Sequence, residues 1–147
     1  MCKLEFKDIL KLLPHRYPFL FIDKVIKYEK RKYIIAIKNV QFSEFFFQGH
    51  FPNYPIVPGV LILESMLQTA CVLAYKSINT LHKKKLFYFS SIDYAKFKKK
   101  IFPGDKMIIN INIITIRSNI IRFQGTVLVD DKIACNAKMS FMNDSKI

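Results

Sequence analysis

From Gly59 to Tyr75 the chain reads GVLILESMLQTACVLAY and carries one charged residue, Glu64. Val60, Leu61, Leu63, Leu67, Ala70, Cys71 and Ala74 leave hardly any polar face, and a helix that is apolar all round belongs inside a protein. The stretch is shorter than the roughly 20 apolar residues of a membrane span, so the expectation is a buried core helix, with Pro58 at its first position. The rest of the chain must then wrap it.

What can wrap it lies mostly downstream. Met107 to Ile116 alternates Ile with Asn or Thr, the period-2 signature of a strand, and Ile120 to Val129 and Ile133 to Phe141 repeat the theme. Ser118-Asn119 and Asp130-Asp131 between them are turn chemistry, so these three segments are expected to form an antiparallel meander. Phe19 to Tyr28 and Tyr33 to Val40 read as a further hairpin around Glu29 to Lys32, and Leu86 to Phe97 as another strand. The sum is an α+β domain: a short N-terminal helix, two strands, an irregular loop, one buried helix, four strands. With 147 residues, 51% hydrophobic and 24% charged, and no repeat or linker, residues 1–147 are expected to be a single domain.

The net charge of +13 points first to a polyanion. Yet the basic residues are 20 Lys and only 4 Arg, whereas bidentate phosphate and guanine recognition favours Arg. A skew toward Ile, Lys, Phe and Asn is also what A/T-rich codons produce. The dense clusters, Lys83 to Lys85 and Lys96 with Lys98, Lys99 and Lys100, have no basic amphipathic helix beside them. The expectation is therefore neither a nucleic-acid nor a membrane partner. Cys2, Cys71 and Cys135 stand in no paired arrangement with His15, His50 or His82, so no metal site or disulfide frame is written. Together with an N-terminus that lacks a basic start and long apolar run, this makes the cytosol the expected compartment.

The loop Phe45 to Gly59, FFFQGHFPNYPIVPG, packs three Pro, two Gly and five aromatics around one His. His50 is a candidate acid or base in a dry pocket, since an imidazole titrating near about 6.5 suits proton transfer at neutral pH; the competing reading is a hydrogen-bonded structural histidine. Glu64 is a lone carboxylate among apolar residues, costly to bury unless paired, protonated or useful; alternatively it faces water. Gly59 opens the helix, where free backbone N–H groups can hold a developing oxyanion, or serves only close packing. Base, acid and oxyanion donor within fifteen residues suggest chemistry beside a carbonyl.

Three motifs in order then carry a resemblance: LPHRYPFLFID at Leu13 to Asp23, FFQGHFPNYPIVPGVLILESMLQ at Phe46 to Gln68, and IDYAKFKKKIFPGD at Ile92 to Asp105. The chain resembles the β-hydroxyacyl-acyl carrier protein dehydratases of dissociated, bacterial-type fatty-acid synthesis, over nearly its whole length. The resemblance implies a hot-dog fold, an antiparallel sheet wrapped around one long helix. It implies that His50 and Glu64 form a catalytic pair across a homodimer interface, in a trimer-of-dimers hexamer, with no cofactor and no metal. The related dehydratase-isomerase branch carries Asp where this chain has Glu64, which favours dehydration alone.

On that basis His50 is expected to take the C2 proton of a 3-hydroxyacyl thioester on an acyl carrier protein. Glu64 with Gln68 is assigned to the departing hydroxyl, and the N–H of Gly59 or Val60 to the thioester oxygen. Tyr88, Phe89 and Phe97 are acyl-tunnel candidates, with core packing as the competing role. Arg16, Lys96, Lys98, Lys99 and Lys100 are candidates for docking the acidic carrier, and His15 is taken as structural. Asn53, Cys71, Ser91 and Asp131 stand where the family often has Gly; Asn and Asp tolerate positive φ, whereas Cys71 and Ser91 add volume that bears on acyl chain length. A hot-dog thioesterase is the other enzyme reading, against which the loop and helix motif argues.

Overall fold

The computed structural model describes residues 3–78 and 86–143. Cys2, His82 and the Lys83, Lys84, Lys85 cluster lie outside them. Element order is α1 (Phe6–Leu12), β1 (Lys24–Glu29), β2 (Tyr33–Asn39), a 3-10 helix (Phe45–Gln48), α2 (Gly59–Ser77), β3 (Phe87–Phe97), β4 (Lys106–Arg117), β5 (Ile120–Val129) and β6 (Lys132–Asn143). All six strands pair antiparallel in one sheet, ordered β1-β2-β4-β5-β6-β3.

The sheet curls around α2, whose residues Ser65 through Ala74 are all buried. Period-2 alternation supplies the other side of the core, with Met107, Ile109 and Ile111 from β4 and Ile121, Phe123 and Val127 from β5 facing inward. The expected meander is there. Its β5–β6 turn places Asp130 and Asp131 at φ 51° and 60°, the consecutive left-handed pair that a two-residue type I′ hairpin requires. Asp131 therefore does the work of the family's glycine. In the middle of β5, Gly125 makes room for the helix, since a Cβ there would lie 2.6 Å from Met66 Cε and 2.5 Å from Ile111 Cδ1.

Three local expectations are corrected. First, α2 is 19 residues long, enough by length and composition to cross a bilayer, so length alone does not exclude a span; its place inside the sheet is what marks it as a core helix. Second, Pro58 is the N-cap rather than the first helical residue, because its carbonyl accepts the N–H groups of Leu61 and Ile62 at 2.9 and 3.2 Å. Third, residues 19–23 are not strand. Phe21 and Ile22 are buried in succession, and the backbone of this segment pairs with a side chain: Phe21 N–H donates to Gln68 Oε1 at 2.8 Å. The ladder begins only at Lys24.

The buried polar groups of α2 are satisfied locally, Ser65 Oγ donating to Ile62 O and Thr69 Oγ1 to Ser65 O, both at 2.8 Å. In β2 the inward alternation Ile34, Ala36, Lys38 places a lysine amine toward the core, where Glu44 receives it at 2.5 Å. Glu44 is also the N-cap of the 3-10 helix, so this pair ties β2 to the start of the loop that carries His50.

Candidate active site

The loop is rigid because its backbone groups pair with each other. His50 N–H donates to Phe46 O at 2.9 Å, Phe51 and Tyr54 exchange N–H···O bonds at 3.1 and 3.0 Å, and Val57 N–H donates to Ile101 O at 2.9 Å. The imidazole of His50 is fixed from two sides. Its Nδ1 lies 2.9 Å from the carbonyl oxygen of Ile56, and its ring stacks on Phe51 with centroids 4.2 Å apart and an interplanar angle of 23°. A carbonyl can only accept, so Nδ1 carries the proton and Nε2 of the neutral ring is left with a free lone pair. That is the form a proton acceptor needs.

His50 lines a cavity of about 390 Å³ with Ile56, Gly59, Phe97, Lys98 and Lys100 among its neighbours. Gly59 begins α2, and since the first bonds to Pro58 come from Leu61 and Ile62, the N–H groups of Gly59 and Val60 have no intrahelical partner. A Cβ on Gly59 would stand 3.0 Å from two ring atoms of Phe97, so the glycine also allows that ring to lie over the helix end. Both readings of Gly59 therefore find support in one contact set. Val60 is 70% exposed beside it.

Glu64 lies elsewhere. Among the described residues no hydrogen bond or ion pair joins it to His50, and it does not line the His50 cavity. Its side chain is 13% exposed, neither water-facing nor fully buried. Gln68, one turn on, donates to Glu64 Oε1 at 3.0 Å. The same amide nitrogen donates to Phe19 O at 3.0 Å while Oε1 accepts from Phe21 N–H. Gln68 has no exposure, and its amide nitrogen is shared between Phe19 O and Glu64 Oε1. His15, set aside by the sequence reading, stands with its Nε2 3.5 Å from the same Glu64 oxygen. Only the fold reveals that neighbour, because 49 residues separate the two in sequence.

Of the tunnel candidates, Phe89 packs on the core, whereas Tyr88 and Phe97 are 40% and 51% exposed. β3 is an edge strand, and Ile92 and Tyr94 extend its exposed apolar row. Ser91 is exposed at a register shift and takes no core volume; Cys71 is buried, and burial first, then the nearby Glu64 charge, pushes its thiol pKa up. Asn53 does not adopt positive φ.

The basic candidates differ. Lys98, Lys99 and Lys100 all border the His50 cavity. Lys100 lies over the Tyr54 ring at 5.2 Å, and Lys99 is drawn to Val129 O and Asp130 at 3.3 and 3.5 Å. Lys96 is exposed on β3. Arg16 closes the end of α1, donating to the carbonyls of Leu10, Leu13 and His15 at 3.0, 2.8 and 2.7 Å. Among the described residues no three His, Cys, Asp or Glu side chains come together as a metal-holding group.

An antiparallel sheet closed around one helix, with a tautomer-fixed histidine at that helix's N-terminal end, makes this a hot-dog domain. The chain belongs to the FabA-like family, whose domain pattern matches residues 13–138. It is 51% identical over 136 residues to a 3-hydroxyacyl-[acyl-carrier-protein] dehydratase FabZ of Proteus mirabilis, covering 92% of this chain and 91% of that protein. A FabZ of Blochmanniella floridana is 49% identical over 138 residues, 94% and 91% of the two chains. In fold it is similar to the dehydratase heterocomplex ApeI:P of Xenorhabdus doucetiae, with a TM-score of 0.76 at 15% identity over 94% of this chain and 91% of that one.

Proposed function

We propose that residues 1–147 form one hot-dog enzyme domain, a 3-hydroxyacyl-[acyl carrier protein] dehydratase of fatty-acid biosynthesis. It removes water from the (3R)-hydroxyacyl thioester to leave the trans-2-enoyl thioester. The observation that carries this reading is the His50 imidazole, whose Nδ1–H donates to the Ile56 carbonyl and whose Nε2 is bare, in a chain about half identical to named dehydratases.

The reaction breaks a C2–H bond and a C3–O bond and forms a C2=C3 double bond, releasing water. His50 Nε2 takes the C2 proton. The electron pair left on C2 is delocalised onto the thioester oxygen, which the N–H groups of Gly59 and Val60 stabilise as charge develops there. The pair then forms the double bond as hydroxide leaves C3, taking the proton of Glu64, which enters the cycle as the neutral carboxyl; the proton on His50 then returns to Glu64, directly or through solvent, and closes the cycle. Gln68 holds Glu64 in place for that step.

The two halves of the site are proposed to meet between subunits, His50 of one chain with Glu64 of the partner subunit. Support comes from the separation of the two residues within one chain and from the exposed apolar row of edge strand β3 beside the 70% exposed Val60. Three such dimers would make a hexamer, working in the cytosol. The acidic carrier docks on Lys98 and Lys100 at the cavity mouth, on Lys96 of β3 and on Arg16, and Tyr88 and Phe97 line the acyl path.

The test is hydration of an enoyl thioester on carrier protein, followed by loss of ultraviolet absorbance. Wild-type hydration with at least a hundredfold loss in His50→Ala is expected, since general base catalysis is worth about 10²–10⁴. No hydration by wild type, or an undiminished rate in His50→Ala, overturns the assignment.

A further inference from the structure

We propose that His15 is a positioning residue for Glu64, holding one carboxylate oxygen so that the other is presented to the substrate. This rests on the reading of Glu64 as the proton donor of the pair.

Both neighbours of the carboxylate approach the same atom. Gln68 donates to Glu64 Oε1 at 3.0 Å, and His15 Nε2 stands 3.5 Å from that oxygen. Oε2 has no partner among the described residues. A terminal carboxylate torsion is soft, and a hydrogen bond from Gln68 with a second contact from His15 on another segment holds it where a single partner would leave it free to swing. A reacting group that must meet C3 within about 3–3.5 Å gains rate from such fixing.

The imidazole is itself held. It follows the buried Leu13, and its own carbonyl accepts a hydrogen bond from Arg16 at 2.7 Å, in the same guanidinium clasp that closes α1. Its Nδ1 is buried and has no partner among the described residues. The tautomer with the hydrogen on Nε2 buries only a bare acceptor there and aims its one donor at Glu64, whereas the other tautomer would bury an unpaired N–H and face a lone pair to the carboxylate. Imidazole and carboxylate are 21% and 13% exposed, so water competes little for the contact. In unliganded sites such contacts are often long and tighten when substrate binds.

The experiment uses the full-length enzyme and the enoyl-thioester hydration assay with three variants. His15→Gln carries an amide nitrogen to the position of Nε2, His15→Asn reaches only that of Nδ1, and His15→Leu has no donor. The expected result is a fall in kcat of about 10- to 100-fold in His15→Leu and His15→Asn with KM within about twofold of wild type, the loss of one hydrogen bond to a carboxyl that becomes charged as its proton leaves. His15→Gln is expected to return to within about threefold of wild type. Added to Glu64→Gln, His15→Leu should cost nothing further. Wild-type kcat in a folded His15→Leu, His15→Gln no better than His15→Asn, or an additive loss in the Glu64→Gln background overturns the proposal. Should His15→Leu fail to fold, the Gln and Asn pair decides alone. Wild-type hydration that Glu64→Gln leaves undiminished identifies the reading of Glu64, rather than the geometry of His15, as the part that fails.

Discussion

Gln68→Leu removes three hydrogen bonds at nearly constant volume, and its effect can be worked from the partners it leaves behind. Phe21 N–H, which Gln68 Oε1 accepts at 2.8 Å, becomes an orphaned donor on a residue only 2% exposed. Such a group costs about 1–3 kcal/mol. The carbonyl of Phe19 belongs to a residue 44% exposed and regains water more readily, so its loss adds at most about 1 kcal/mol. The sum is about 1–4 kcal/mol, and at about 2–4 °C per kcal/mol for a chain of this size the melting temperature should fall by about 2–16 °C. Activity should fall further than stability accounts for, because Glu64 loses the donor at 3.0 Å that orients it. Gln68→Glu sharpens the test. The introduced carboxyl can still accept from Phe21 N–H, but its second oxygen would face Phe19 O and Glu64 Oε1, each 3.0 Å from the present nitrogen. It must keep a proton there, so burial and a like charge raise its folded pKa above the unfolded value of about 4.3. Stability tied to a raised pKa is present below the unfolded value and lost as pH rises. Gln68→Glu should therefore melt close to wild type near pH 5 and well below it at pH 8, in thermal unfolding followed by fluorescence or circular dichroism. A Gln68→Leu protein melting within about 1 °C of wild type, or a Gln68→Glu protein whose deficit does not grow with pH, refutes the clamp.

Gly125→Ala should destabilise by about 1–3 kcal/mol through overpacking, because the new methyl meets Met66 Cε, Ile111 Cδ1 and, at 3.0 Å, the backbone oxygen of Asn110. Denaturant midpoints check it, and Ile111→Val should cost less in that background than alone. Burial pushes the Cys135 thiol up to about 11 from 9.0, so the unfolded chain ionises first and stability should decline between about pH 9 and pH 11, by up to about 2–3 kcal/mol from this group. Denaturant titrations at pH 8.5 and 10.5 should show that slope flatten in Cys135→Ala; an unchanged slope removes Cys135 as its source. For the lysine-bordered cavity, KM for carrier-bound substrate should rise with salt while that for a short uncharged thioester analogue should not, and parallel behaviour of the two would count against carrier docking by charge.

Periodicity and turn chemistry made the core helix and the β4–β5–β6 meander legible in the sequence, since both signals are local: they state which face of a segment is apolar and where the chain reverses. The loop around His50 announced its rigidity through Pro, Gly and aromatics for the same reason. Lys38 was also legible in principle, as the third inward position after Ile34 and Ala36, and Gly125 as a glycine within a strand pattern. Residues 19–23 misled because their apolar run resembles a strand while their hydrogen bonds go to Gln68, 47 and 49 residues away. Only tertiary structure decided that Gln68 is enclosed, that His50 keeps its hydrogen on Nδ1 against Ile56, and that His15 stands beside Glu64. Each depends on what lies opposite a side chain in space. A period records the direction in which a residue points, and the partner it finds there is set by how the sheet closes around the helix.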